Sequence, residues 1–275
     1  MTHTNRPLTH GSSQLRVSVV IPCRNDAEFL QHALLDLEKQ TLLPGEVIVV
    51  DNDSADQSAA IAKAHGVTLV HEKTHGIWPA AAAGFAAASG DIILRIDADT
   101  RVGETWLEQA VTYFTEHPEV DFIVGPGVFY GGGYVKNWLG THCFIGLMTP
   151  ALWPILGHPP LYGSNMGFRR SAWQEVATLA HTDSATIHDD LDLSFCVRPW
   201  MQVKFLPDWK AGVSARPFAT WKGLGRRLNW VGTTWAANWP ESKPFKHRHD
   251  RKQWRKQNRQ NAAKNPATNP PETSR

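Results

Sequence analysis

The sequence predicts an α/β fold: a mostly parallel sheet flanked by helices, followed by a less regular second half. Three observations carry that reading. Short β-branched runs alternate with helix-patterned segments up to residue 124. The runs are dominated by apolar residues, as buried strands are, and the regularity fades from Gly125 onward.

Taken in order, residues 16–21 form the first strand, ended by Pro22, and 26–40 a helix. Residues 46–50 are a second strand, and 54–65 a helix capped by Asp53 or Ser54. A third strand covers 67–70, and an Ala-rich helix 80–89 is closed by Gly90. A fourth strand spans 91–96, a helix 104–117 stops at Pro118, and a fifth strand follows at 120–124. Beyond the glycines 131–133, residues 134–156 are apolar and contain Trp and Pro. Strands are expected at 162–169 and 204–206, helices at 190–197 and 218–239. In such a sheet, ligands bind beyond the carboxyl ends of the strands. Residues 15–240 read as one domain, with 1–14 and 241–275 as flexible termini.

The chain's 275 residues suffice for a core, and 42% hydrophobic with 20% charged residues is a globular composition. Cys23, Cys143 and Cys196 form neither a C-x-x-C pair nor a disulfide framework, which fits a reducing compartment. Residues 1–14 lack the apolar core of a signal peptide. The apolar stretch 143–157 is short and broken by Pro150 and Pro154, so no membrane crossing and a cytoplasmic location are expected. The net charge of +2 hides an asymmetry: residues 241–275 carry ten Lys or Arg against three acids, leaving the body at −5. An acidic body argues against nucleic-acid binding. The basic tail is either a solvated terminus or a surface for anionic lipid, a phosphorylated acceptor or RNA.

Carboxylates gather at the predicted strand ends. The first strand is followed by Arg24, Asn25 and Asp26, the second by Asp51 and Asp53, the fourth by Asp97 and Asp99. Acids crowded on one sheet edge repel one another and need a compensating partner, which a divalent cation supplies. In extended chain, residues two apart project to one side, so Asp97 and Asp99 are expected to face one ion. Manganese or magnesium takes oxygen ligands and binds through one or two carboxylates plus substrate phosphates. An isolated Asp-x-Asp is weak evidence, and this chain has three, at 51/53, 97/99 and 190/192. Position after an apolar strand distinguishes 97/99; turn or helix-cap roles compete at each.

Five ordered segments resemble the family-2 inverting glycosyltransferases of GT-A fold: V-S-V-V-I-P-C-R-N-D at 17–26, E-V-I-V-V-D-N-D-S-A-D at 46–56, G-D-I-I-L-R-I-D-A-D at 90–99, G-S-N-M-G-F-R-R at 163–170 and D-D-L-D-L-S at 189–194. The resemblance implies a Rossmann-like GT-A sandwich, with a nucleotide-sugar half at about 15–125 and an acceptor half at 126–240. Pro22, Arg24, Asp26 and Asp51 would lie along the nucleoside of a nucleotide-sugar donor, and Asp97 by the ribose or metal. Asp99 would ligate Mn2+ or Mg2+ with the diphosphate. Asp190 would be the general base, with Asn165 and Asp189 toward the acceptor. For Asp189 and Asp190, a helix cap and first-turn acid is the competing structural role. His188 beside them would tune a pKa or contact the acceptor.

Two departures matter. Many relatives carry Ala-Arg-Asn-x-Gly before the fourth strand; here the stretch is Ala80-Ala81-Ala82-Ala83-Gly84. Processive relatives carry Gln-x-x-Arg-Trp and membrane helices; here Arg226-Arg227-Leu228-Asn229-Trp230 stands alone, so addition of a single sugar is expected. The segment 134–162, with Trp138, Phe144, Leu147, Met148, Leu152 and Trp153, either docks a glycan or lipid-linked acceptor or packs a core or subunit contact. With the basic tail and Trp254 it suggests peripheral contact with the inner face of a membrane. Two alternatives stand beside the transferase. A sugar-phosphate nucleotidyltransferase would want a glycine-rich loop where Cys23 to Asp26 has none. A catalytically impaired nucleotide-sugar-binding relative is suggested by Ala81 and Ala82.

Overall fold

The computed structural model describes residues 15–141, 146–216, 221–240 and 243–264. The elements are β1 (Val17–Cys23), α1 (Ala27–Glu38), β2 (Glu46–Asp51), α2 (Ser58–Ala64), β3 (Thr68–His71), α3 (Ile77–Ala87), β4 (Ile92–Arg95), β5 (Arg101–Val102), α4 (Trp106–Glu116), β6 (Phe122–Val124), β7 (Gly127–Tyr130), α5 (Gly133–Leu139), α6 (Gly146–Leu156), β8 (Met166–Arg169), α7 (Arg170–Val176), α8 (Asp189–Cys196), β9 (Val203–Phe205), β10 (Ala211–Ser214), α9 (Trp221–Ala237) and α10 (Lys246–Lys264).

Seven strands form one sheet in the order β3-β2-β1-β4-β8-β6-β9. Among the described strands of this sheet, β8 runs against its neighbours, β4 and β6, and the other pairings are parallel. Residues alternate between the faces. Val17, Val19, Ile21, Val49, Ile92 and Leu94 join the core formed with α1, α2 and α4. Val20, Ile48, Val50 and Ile93 join Trp78, Phe85 and Trp173 on the other face. Two buried faces account for the predominance of apolar residues in these strands. Ser18, the one polar residue in β1, is fully buried but satisfied: it donates to Glu46 Oε1 (2.5 Å) and accepts from Gly90 N (2.9 Å). On that second face α3 lies close to β1, because a Cβ at Gly84 would stand 2.3 Å from Val20 Cγ1.

Several boundaries differ from the sequence expectation. β1 continues through Pro22, whose position lies past Val20, the last residue paired with β4, so its missing N–H breaks no bond on that side. α2 begins at Ser58 rather than near residue 54. Asp53 has φ of 58°, Ser54 Oγ instead accepts Asn25 N, and Asp56 takes the N–H groups of Ala27 and Ser58. α3 begins at Ile77, earlier than expected, because Pro79 sits in the first turn, where backbone N–H groups have no helical partner. A second sheet, β5-β10-β7, was not expected. The tail read as solvated is helical over Lys246–Lys264: α10 lies against α6, with Arg251 donating to Met201 O (2.7 Å) and Arg198 O (3.2 Å). Expectations for residues 1–14, 142–145 (Cys143 and Phe144 among them), 218–220 and 265–275 lie outside the described residues. Among the described residues, no helix is long and apolar enough to cross a membrane.

Candidate active site

A cavity of about 580 Å³ opens at the carboxyl ends of β1 and β4, within the size range of small-molecule sites. Pro22, Arg24, Asp26, Asp97, Asp99, Asp189 and Asp190 all line it. Asp51 and Asn165 do not.

The loop after β4 sets the first pair of acids. The extended-chain argument fails here, because β4 ends at Arg95 and residues 97–100 turn: Thr100 N donates to Asp97 O (3.0 Å) and Asp97 N to Thr100 Oγ1 (3.2 Å). Tyr130 donates its hydroxyl proton to Asp99 O (2.7 Å), tying the turn to β7. The turn brings both carboxylates to one cleft by another route.

Two arginines not singled out from the sequence organise these acids. Arg95 is 1% exposed and bridges Asp97 (2.9 Å) and Asp189 (2.5 Å). Gly163 makes room for it, since a Cβ there would stand 1.8 Å from Arg95 Nη1. Arg216, after β10, bridges Asp26 (2.7 Å) and Asp99 (2.9 Å), with its guanidinium 3.8 Å over the Phe29 ring. Arg95 had a visible signal, one charge inside an apolar strand. Arg216 had none beyond being a lone arginine in an irregular segment.

The N-terminus of α8 supplies the third group. His188, not Asp189, occupies the cap position, and no side chain bonds there, so neither acid is a cap. Asp190 accepts Gly163 N (3.2 Å), and His188 Nδ1 lies 2.7 Å from its Oδ1. Burial alone would raise the Asp190 pKa. His188, Arg95 and the Gly163 N–H outweigh it and hold the carboxyl below its ordinary value. Asp192, counted in the third Asp-x-Asp, is structural: fully buried, it accepts from Trp78 Nε1, His181 N and Asn238 Nδ2.

Two expected site residues are placed elsewhere. Asp51 is buried, accepts Ser54 N (3.3 Å) and stands 3.3 Å from His71 Nδ1, while its neighbour Asn52 lines the cleft. Asn52 takes Gly76 N and donates to Glu72 O and Thr74 O, fixing the loop before α3. Asn165, expected near an acceptor, is fully buried because both ends of its amide are used internally. Trp106 Nε1 donates to it (2.9 Å) and it donates to Trp209 O (2.6 Å). Arg24 does reach the cleft and lies 3.2 Å from His75 Nδ1, while His75 Nε2 is 2.8 Å from Asp53.

The donor set fits a hard divalent cation. Among the described residues, five carboxylates line the cleft against three arginines, Arg24, Arg95 and Arg216. Burial, reinforced by Asp99, Asp189 and Asp190 and opposed by Arg95, pushes Asp97 up to about 6. That surplus of negative charge is what a cation relieves. His188, Asp189 and Asp190 also lie within 4.8 Å of one another, but Asp189 is committed to Arg95 and Asp190 to His188 and Gly163. Asp97 and Asp99 are bridged too, to Arg95 and Arg216, but they share one turn and Asp97 is more exposed than Asp189 or Asp190, so these two could hold the ion. Since protons compete with a cation for Asp97, affinity for Mn2+ should be full above neutral pH. It should fall by about tenfold per unit below pH 6. Calorimetric titration from pH 5 to 8 checks this; a flat profile contradicts it.

The sheet order and its acid-lined edge define an α/β protein of the GT-A class. Residues 18–177, more than half the chain, match Glycosyl transferase family 2, and the chain belongs to that family. It is 33% identical over 128 residues to glycosyltransferase AglE of Haloferax volcanii, covering 44% of this chain and 39% of that one. It is 39% identical over 95 residues to the undecaprenyl-phosphate 4-deoxy-4-formamido-L-arabinose transferase of Serratia proteamaculans, covering 30% and 29%. The matches thus span well under half the length of these relatives. In fold it is similar to the mannosyltransferase PcManGT of Pyrobaculum calidifontis, solved with GDP-Man and Mn2+. The TM-score is 0.63 at 19% identity, covering 94% of this chain and 77% of that one.

Proposed function

We propose that this chain transfers a single sugar from a nucleotide-diphosphate donor to an acceptor hydroxyl, with inversion at the anomeric carbon. The observation that carries this reading is the meeting of Asp26, Asp97, Asp99 and Asp190 in one cleft at the sheet's carboxyl edge. The nucleoside lies along Pro22, Arg24 and Asp26 in a cleft that Asn52 also lines. The acceptor oxygen attacks the anomeric carbon as the bond to the diphosphate breaks, and the leaving electron pair goes to the phosphate oxygen. The acceptor's proton passes to Asp190, which its neighbours keep ionised, and His188 fixes the orientation of that carboxylate. Mn2+ or Mg2+ held by Asp97 and Asp99 would neutralise charge on the departing diphosphate. The GDP-Man and Mn2+ found in PcManGT support that assignment.

The acceptor side of the cleft is formed by Leu152, Leu161, Leu191, Trp230 and Trp235, an apolar wall suited to a sugar face or lipid-linked alcohol. Undecaprenyl-phosphate in the name of the Serratia relative supports an acceptor that carries a lipid chain. The Ala-rich helix does not by itself argue for lost activity: Ala81 is fully buried, Ala82 packs against the same core, and neither lines the cleft.

A thermal-shift panel of UDP- and GDP-sugars, each with and without Mn2+, tests the donor class. At about 100 times Kd the matching donor stabilises by roughly 2.7 kcal/mol, a shift of several degrees, and only with metal. A panel with no shift for any nucleotide sugar would remove the proposal.

A further inference from the structure

Away from the cleft, α6 and α10 form an unusual pair. α6 (GLMTPALWPIL) carries no charged residue, and it exposes Leu147, Pro150, Ala151, Trp153 and Pro154. Leu147, Pro150, Ala151 and Pro154 fall on one side of the helix by its 100° repeat, and Trp153 flanks them. Beside it, α10 carries eight Lys or Arg against a single acid, Asp250. Buried Arg251 and His247 anchor α10 to the body. The exposed side chains of Arg248, Lys252, Arg255, Lys256 and Arg259 then line a groove whose other wall is Trp153 and Pro154.

An apolar helix face beside a strip of like charge suits the boundary of an anionic bilayer. The apolar side chains enter the acyl edge and the cations meet the headgroup phosphates. RNA would use the cations but gives Leu147, Pro150 and Pro154 nothing to bury against. α6 also connects this surface to the site: Leu152, next to Trp153, lines the catalytic cleft. We infer that the α6–α10 face docks on an anionic phospholipid membrane and presents the acceptor side of the cleft to a lipid-linked acceptor. This rests on the transferase reading for its purpose but not for its test.

The test is flotation of the full chain with phosphatidylcholine vesicles, with and without about one-third phosphatidylglycerol. The expected result is binding to the anionic vesicles only. Binding should be reversed by high salt and reduced at least about tenfold in a Lys252→Glu/Arg255→Glu/Lys256→Glu variant. Trp153→Ala should weaken it by a smaller factor. Both variants should keep Mn2+-dependent nucleoside diphosphate binding, which shows that they fold. Failure to float, equal binding to neutral vesicles, or tighter binding to a single-stranded RNA than to anionic vesicles would each overturn the inference. Loss of nucleotide binding in the wild type would instead count against the transferase reading, so the two failures are separable.

Discussion

Asp190→Asn should lower the rate of sugar transfer by about 10²–10⁴-fold while leaving donor affinity almost unchanged. The substitution keeps the side chain's shape and its bond from Gly163 N (3.2 Å), but an amide cannot take the acceptor's proton. Because His188 and Arg95 hold the Asp190 carboxyl below its ordinary range, it is ionised throughout neutral pH. Its own titration should therefore not limit the rate above pH 5. The acid limb of the wild-type profile should come instead from Asp97, near pH 6. Product formation and donor titration on the same preparation separate the two effects. Undiminished transfer by the Asn variant would remove Asp190 from the role of base.

Arg95→Leu should cost about 3–5 kcal/mol of stability. The guanidinium is buried between Asp97 and Asp189, and its loss leaves two acids close together in a site already surplus in negative charge. For a domain of this size the melting temperature should fall on the order of 10 °C. Arg95→Lys should recover part of that, since an ammonium on a flexible stem replaces one bridge more readily than two. Thermal melts of the three proteins check the order. A Leu variant as stable as wild type would mean that Asp97 and Asp189 are held apart by other means.

The parallel half of the fold was legible because β1, β2 and β4 are buried on both faces, which makes them short, mostly apolar, β-branched runs between helix-patterned segments. Their carboxyl ends then located the cleft. The second half resisted for physical reasons. β5, β7 and β10 are two to four residues long and gain their stability from pairing that no local pattern announces. α10 read as solvated because its cations outweigh everything else, yet Arg251 and His247 bury themselves against the body.

Within the site, the acids were visible and, apart from Arg95 as a lone charge in an apolar strand, their counter-ions were not. Asp26, Asp97, Asp99 and Asp190 line the cleft, but the bridges from Arg95 to Asp189 and from Arg216 to Asp26 and Asp99 join residues far apart in the chain. Asp51 and Asn165 show the converse. Each lies in a segment that carries the family resemblance, but local hydrogen bonds claim both side chains.

Calorimetric titration of UDP and GDP into the wild type and Asp99→Ala, with and without Mn2+, bears most directly on the cleft as a diphosphate site. The expected result is metal-dependent binding of at least one nucleotide to the wild type, weakened by about 100-fold or more once the Asp99 carboxylate is gone. Equal binding by both proteins, or binding indifferent to the metal, would contradict it.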